Sequence, residues 1–168
     1  MSEFDGRSRY STPVGSADPG EVALFWERVL ATTGVNAPVP PAECFGDTVE
    51  LADELVELVL AGRKRATAGA LAEYEAEGVP IPQVGELWIV TDGLMHPRAV
   101  LETTEVSVGP LSSVDDRFAW DEGEGDRTRP TWLDDHTWYF SRSLLRIGQP
   151  FHPDITIVFQ RFVLRYQP

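Results

Sequence analysis

Lys64 and Thr67 stand three residues apart just after Gly62, and a lysine amine within reach of a threonine hydroxyl sets a base beside a nucleophile. For that chemistry the lysine must spend time uncharged. Burial, or the positive charges of Arg63 and Arg65 beside it, would promote this by lowering its pKa. A simpler role also fits, because carbonyls at a helix C-terminus attract cations. A second group is the stretch Asp121 to Arg129, DEGEGDRTR, in which Glu122, Glu124 and Asp126 offer carboxyl groups. These suit proton donation, hydrogen bonding to a base edge, or oxygen ligation of a hard cation such as magnesium. The stretch lacks the ligand order of an EF-hand, and a solvated acidic loop is the plainer reading. Glu102 sits between Leu101 and Thr103 in an apolar strand, so its carboxylate either faces out or is paired inside. His136 falls one turn after Trp132 and one turn before Phe140, a setting that suits packing as well as base or ligand chemistry. Trp132, Trp138, Tyr139 and Tyr74 are aromatic surfaces for a core or for stacking a nucleobase. No Walker, GxGxxG, GxSxG or HExxH motif occurs, which removes the common nucleotide-phosphate, dinucleotide, serine-hydrolase and zinc-protease readings.

The elements that must hold these residues follow from apolar spacing. Residues 1–20 lack periodicity and read as a flexible tail, and residues 21–44 as a helix with a Pro-rich linker. In the helix, Val22, Phe25, Trp26, Val29 and Leu30 recur at helical spacing and Gly34 supplies the stop. Pro38, Pro40 and Pro41 exclude further helix. Asp47 to Glu50 fits a capping box, followed by the stripe Leu51, Leu55, Leu58 and Val59 up to Gly62. Ala70 to Glu77 reads as a short helix closed by Gly78. Leu87 to Val90, the turn at Asp92-Gly93 and the strand 98–108 form a hairpin. Ser112 to Ala119 reads as an irregular turn, and Pro130 as the first residue of a helix ending at Gly148. In the last strand, 155–166, the apolar phase flips near Gln160 and Arg161, as a bulge would produce. Helices around hairpin-linked strands predict an α+β fold, with a mixed or antiparallel sheet curled into a small barrel.

Five Trp and eight Phe within 168 residues supply a core for about one domain. No run approaches the roughly 18 apolar residues that span a bilayer, and the start has no apolar signal core, so a cytoplasmic protein without a membrane partner is expected. A single cysteine, Cys44, forms no internal disulfide. The net charge of −13 opposes coating by nucleic acid, although the run Arg63-Lys64-Arg65 leaves room for a local basic cleft.

Taken in order, several motifs resemble the ASCH domain family, which is similar in fold to PUA-like barrels. They are Phe45-Gly46-Asp47, Gly62-x-Lys64-x-x-Thr67, Tyr74-x-x-x-Gly78, Gly85-Glu86 and Val100-Leu101-Glu102-Thr103-Thr104-x-Val106. Phe118-Ala119-x-x-Glu122-Gly123-Glu124-Gly125-Asp126 follows, then Trp132 with His136. The resemblance implies a domain over 45–168 and a partner that is a nucleoside or a short single-stranded RNA. Family members include RNA-binding modules, metal-dependent ribonucleases and short amidohydrolases that deacetylate N(4)-acetylcytidine. In the amidohydrolases the lysine of the motif accepts a proton, the threonine attacks and a glutamate in a loop before a helix donates. Those roles carry to Lys64, Thr67 and Glu122, with Glu124 as the neighbouring match. The resemblance also implies that Arg63, Arg65, Tyr74 and Glu102 on one side, and Asp126, Arg127, Trp132 and His136 on the other, contact the substrate. An amidohydrolase needs no cofactor, whereas a ribonuclease would call for a divalent metal. The first helix is expected either to cap the barrel or to make a homodimer.

Overall fold

The computed structural model describes residues 15–168. Residues 1–14 of the tail expected at 1–20 lie outside them, while Pro19 and Gly20 already belong to the first helix. Chain contacts define two units, one formed by residues 15–60, Leu87–Leu101 and Leu164–Pro168, the other by Ala61–Glu86 and Glu102–Val163.

In the first unit, α1 (Pro19–Thr33) starts where the Asp18 carboxylate accepts the Glu21 N–H at 2.8 Å and ends at Gly34, whose φ of 69° suits a residue without Cβ. Its buried stripe Val22, Phe25, Trp26 and Val29 packs with Ile89 and Val100. The Pro-rich linker contains a strand after all. Ala42–Glu43 (β1) follow the last proline, keep their N–H groups and pair in parallel with β3 (Leu87–Thr91). Helix α2 (Val49–Leu60) is capped one residue later than expected: the Thr48 hydroxyl accepts the Leu51 N–H at 3.2 Å. The buried face turns accordingly, to Ala52, Leu55, Val56 and Val59, leaving Leu51 and Leu58 half-buried. The Asp92 carboxylate accepts the N–H groups of Leu94 and His96 at the hairpin turn, from which β4 (Pro97–Pro110) returns.

In the second unit, β2 (Ala66–Ala70) precedes α3 (Leu71–Glu77), so the stretch from Ala70 that reads as helix begins one residue late and is preceded by a strand. Three alanines, a threonine and a glycine hide β2 from propensity, and its pairing with β5 (Thr156–Tyr166) decides the matter. The expected turn at 112–119 is a 3₁₀ turn, Leu111–Ser113, and then α4 (Asp116–Glu122), which Asp115 starts by accepting the Phe118 N–H at 2.7 Å. Helix α5 (Arg129–Arg146) starts at the Thr128 cap with Pro130 in its first turn. Ala66, Ala70, Phe118, Trp132, Phe140 and Phe159 belong to the core of this unit.

The strands pair in the order β1-β3-β4-β5-β2. Five helices and a mixed five-stranded sheet give the expected α+β class, but the sheet is not closed: among the described residues β1 and β2 remain its two edges. Against β2 the bulge expected in β5 does not occur. Register against β2 runs one for one from Ala66 opposite Arg161 to Ala70 opposite Ile157. Ile157, Val158, Phe159 and Gln160 are all buried, so both faces of this stretch are covered by packed elements and it shows no clean alternation.

Candidate active site around Lys64

Gly62, at φ 72°, turns the chain so that residues 63–65 lie against the end of α4. There the Arg65 N–H donates to the Asp121 carbonyl at 2.7 Å, and a Cβ on Gly123 would strike the Arg63 carbonyl. Arg63 points outward and donates from Nε to Gly123 O at 2.6 Å and from Nη2 to Gly125 O at 2.7 Å. Arg65 donates from Nε to Gly62 O at 2.9 Å, so the helix-end cation is Arg65, not Lys64. Between two exposed arginines, Lys64 takes the inward direction and is only 2% exposed.

Its ammonium meets two acids. Nζ lies 2.6 Å from Glu124 Oε1 and 3.8 Å from Glu122 Oε2. Glu122, the last residue of α4, is 1% exposed, whereas Glu124 keeps 28% of its side chain open and is the edge of the cluster nearest water. His136 Nε2 lies 3.2 Å from Glu122 Oε2, and its Nδ1 faces the Trp132 carbonyl at 2.9 Å, one turn earlier. Its ring stacks on Trp132 with centroids 3.8 Å apart. The contact to Glu122 is close but poorly aligned, so neither Glu122 oxygen has a hydrogen-bond partner among the described residues; nor does Trp132 Nε1. The Glu122 carboxylate is thus held by the charges of His136 and Lys64 and not by a well-formed hydrogen bond, while the buried Trp132 indole N–H is left unsatisfied, a costly state that a complementary ligand would relieve.

Burial by itself would lower the Lys64 pKa, but the charges of Glu122 and Glu124 outweigh it and raise the value. This reverses the lowering anticipated from Arg63 and Arg65, which turn away to carbonyls. Burial likewise pushes Glu122 up, yet Lys64 and His136 bring it down to about 2. Glu124 goes the other way: burial and the Glu122 charge raise it despite Lys64. His136 is raised because Glu122 overcomes the cost of burying an imidazolium. Two neighbouring carboxyls on one lysine therefore have opposite proton affinities.

The other expected residues fall into three places. Thr67 is half-buried on β2 opposite Gln160, on the face that alternates with Ala66 and Ala68, and among the described residues no hydrogen bond joins it to Lys64. The Tyr74 ring lies where a Cβ on Gly69 would come, 3.0 Å from Cε2, so it covers the same side of β2 as Thr67. Glu102 is half-buried in β4 next to Thr103, whose hydroxyl accepts from Gln160 Nε2 at 2.7 Å. Asp126 is exposed and already occupied, since it accepts from the Thr128 N–H and from the Thr128 and Thr131 hydroxyls at the start of α5. Arg127 donates to Trp120 O at 2.9 Å and lies 3.8 Å over the Trp120 ring. Trp120 is the residue that sequence reasoning missed: it is 56% exposed, and nothing in the pattern DRFAW distinguishes it from a core aromatic.

An inward lysine held by a Glu-Gly-Glu turn and a stacked His-Trp pair, on an open five-stranded α+β sheet, defines the class of site. Residues 42–166 match the model of the ASCH domain, and the chain belongs to the ASCH domain family. It is similar to the crystal structure of protein EF3133 from Enterococcus faecalis V583, with 32% identity, 87% of this chain and 88% of that chain covered and a TM-score of 0.81. It is also similar to the ASCH domain from Lactobacillus crispatus JV V101, with 30% identity, 86% and 94% covered and a TM-score of 0.78. No curated protein matches the chain.

Proposed function

We propose that this ASCH domain is a hydrolase acting on an amide of an RNA-derived nucleoside, of the N(4)-acetylcytidine kind, free or in a short single strand. The observation that supports it most is the split between Glu122 and Glu124 around Lys64, since an acid and a base working side by side need separated pKa values. At rest Lys64 is an ammonium. Passing its proton across the 2.6 Å contact to Glu124 makes an amine and a carboxylic acid together. The amine takes the Thr67 hydroxyl proton as that oxygen attacks the acyl carbon; the carbon–nitrogen bond then breaks and Glu124 protonates the leaving nitrogen. Water releases the acid from Thr67 and restores the hydroxyl. Because Lys64 rests on Glu124 and not on Thr67, ligand entry must draw it across. The Glu122 oxygens, ion-paired but without a well-formed hydrogen bond, and the orphaned Trp132 Nε1 suit a ligand that offers an N–H and a carbonyl.

Release of cytidine from N(4)-acetylcytidine tests this reading. Lys64→Ala and Thr67→Ala should each lower turnover by at least about 100-fold, and unchanged turnover in Lys64→Ala sinks the assignment. A second reading, a noncatalytic reader of a nucleobase, is favoured by the raised Lys64 pKa and predicts saturable binding without product. A metal-dependent ribonuclease is not supported by the donors. Glu122 and Glu124 already face a cation, Asp126 is spent on two threonines, and among the described residues no three His, Cys, Asp or Glu side chains are grouped to hold a metal ion.

A further inference from the structure

With 27 acidic residues against 14 Lys and Arg, a cation on this protein should find a carboxylate easily. Arg98 does, at 2.8 Å from Glu57, and Arg161 does twice, at 3.0 Å from Asp121 and 2.7 Å from Glu105. Arg63, Arg65 and Arg127 do not: among the described residues none of them pairs with a carboxylate, a trait they share with Arg129, which is tied to the carbonyls of Val114 and Ser112. Arg63, Arg65 and Arg127 each donate Nε to a main-chain carbonyl, of Gly123, Gly62 and Trp120 respectively. That anchors the stem and leaves guanidinium N–H groups for something else.

The three are gathered, not scattered. Arg63 and Arg127 both bind the segment 120–125, and Arg65 is tied to it through its own N–H on Asp121. Arg127 holds φ at 63°, a conformation that costs a residue with Cβ about 1 kcal/mol or more and aims its side chain over exposed Trp120. Burial and then the charges of Arg63 and Arg65 lower the Arg127 pKa, with the Asp121 carboxylate opposing them in part, so the three guanidiniums lie within electrostatic reach of one another. Like charges collected at a cost on an acidic protein are what an anion site requires. Sequence continuity puts this rim beside the buried cluster, because Lys64 is flanked by two of the three.

We propose that Arg63, Arg65 and Arg127 form a phosphate site, so that the ligand is a nucleotide, with its phosphate on the arginines and its base toward Lys64 and Glu122. This rests on the nucleobase reading above. Guanidiniums in a fixed fork match phosphate oxygens bidentately. A strand phosphodiester and a terminal phosphate present the same chemistry, and the test separates them.

The full chain is titrated, with Trp fluorescence or calorimetry as readout, with cytidine, cytidine 5′-monophosphate and a single-stranded hexamer of cytidylate. Cytidine monophosphate or the hexamer should bind about tenfold or more tightly than cytidine, as a charge-assisted phosphate contact predicts. The tighter of the two names the source. In Arg65→Gln and Arg127→Gln, whose anchors are single hydrogen bonds, the preference should collapse toward equality while circular dichroism stays native. The dependence of binding on salt should weaken by roughly 0.7 in log–log slope for the phosphate lost. Equal binding of cytidine and its monophosphate, a preference that survives both substitutions, or no binding of either phosphorylated probe at millimolar concentration overturns the proposal. If acetylcytidine is hydrolysed as fast as its 5′-phosphate, the hydrolase stands and the phosphate site falls. A phosphate preference without hydrolysis has the opposite meaning.

Discussion

Lys64 is held by charge in a place that would otherwise expel it. Removing it strands Glu122 and Glu124, and an uncompensated buried charge costs about 3–5 kcal/mol. Lys64→Ala should lose that much in urea unfolding, and Lys64→Ala combined with Glu124→Gln should recover part of it. His136 carries a pH signature. Folding raises its pKa, so its stabilisation is complete below the unfolded value of 6.5 and is lost as pH rises through the higher folded value. The stability gap between the native chain and His136→Gln should therefore be widest near pH 6 and narrow toward pH 9. Glu122 works in the opposite window, stabilising above 4.5 and fading as pH falls toward 2. At this scale the residue types were legible in the sequence, because Lys64, Glu122, Glu124 and Trp132 do come together. The proton affinities were not. They depend on burial and on the charges of Lys64, Glu122, Glu124 and His136 upon one another, and those residues meet only through the fold, Lys64 and Glu124 from sixty residues apart.

Among the elements, the site depends on the approach of α4 to residues 63–65. Gly123 makes it possible twice over: its φ is 75°, and a Cβ there would meet the Arg63 carbonyl and the Lys64 nitrogen. Gly123→Ala should cost more than about 1 kcal/mol for the backbone alone and disorder the Glu124 side of the cluster. Chemical denaturation measures the first effect, and loss of the NMR resonance of a Lys64 ammonium held from exchange reports the second. The long periodic elements, α1, α2, α5 and the β3–β4 hairpin, were readable from spacing and caps. The short ones that build the site were not. Strand β2 is Ala-Thr-Ala-Gly-Ala and owes its conformation to β5, while α4 is seven residues whose charged ends look like loop. The barrel expected from hairpin links is an open sheet, because closure depends on edge pairing that local sequence does not encode.

For the whole molecule, a charge of −13 sets what can approach. Long duplex nucleic acid meets repulsion over most of the surface and attraction at one rim, so duplex DNA should show no saturable binding at micromolar protein and physiological salt in a gel-shift assay. The small phosphorylated ligand proposed above would need only the arginine rim. Among the described residues no helix is long and apolar enough to cross a membrane. Net charge was readable from composition, but its local exception was not, since Arg127 reaches Arg63 and Arg65 only through the fold.

The central claim is that Lys64 stands between two carboxyls of opposite proton affinity. Carbon-13 NMR of the side-chain carboxyls, followed through a pH titration of the full chain, tests it directly. Glu122 should stay ionised down to about pH 2 while Glu124 takes its proton above the ordinary 4.5. Both carboxyls titrating together near 4.5 would contradict it.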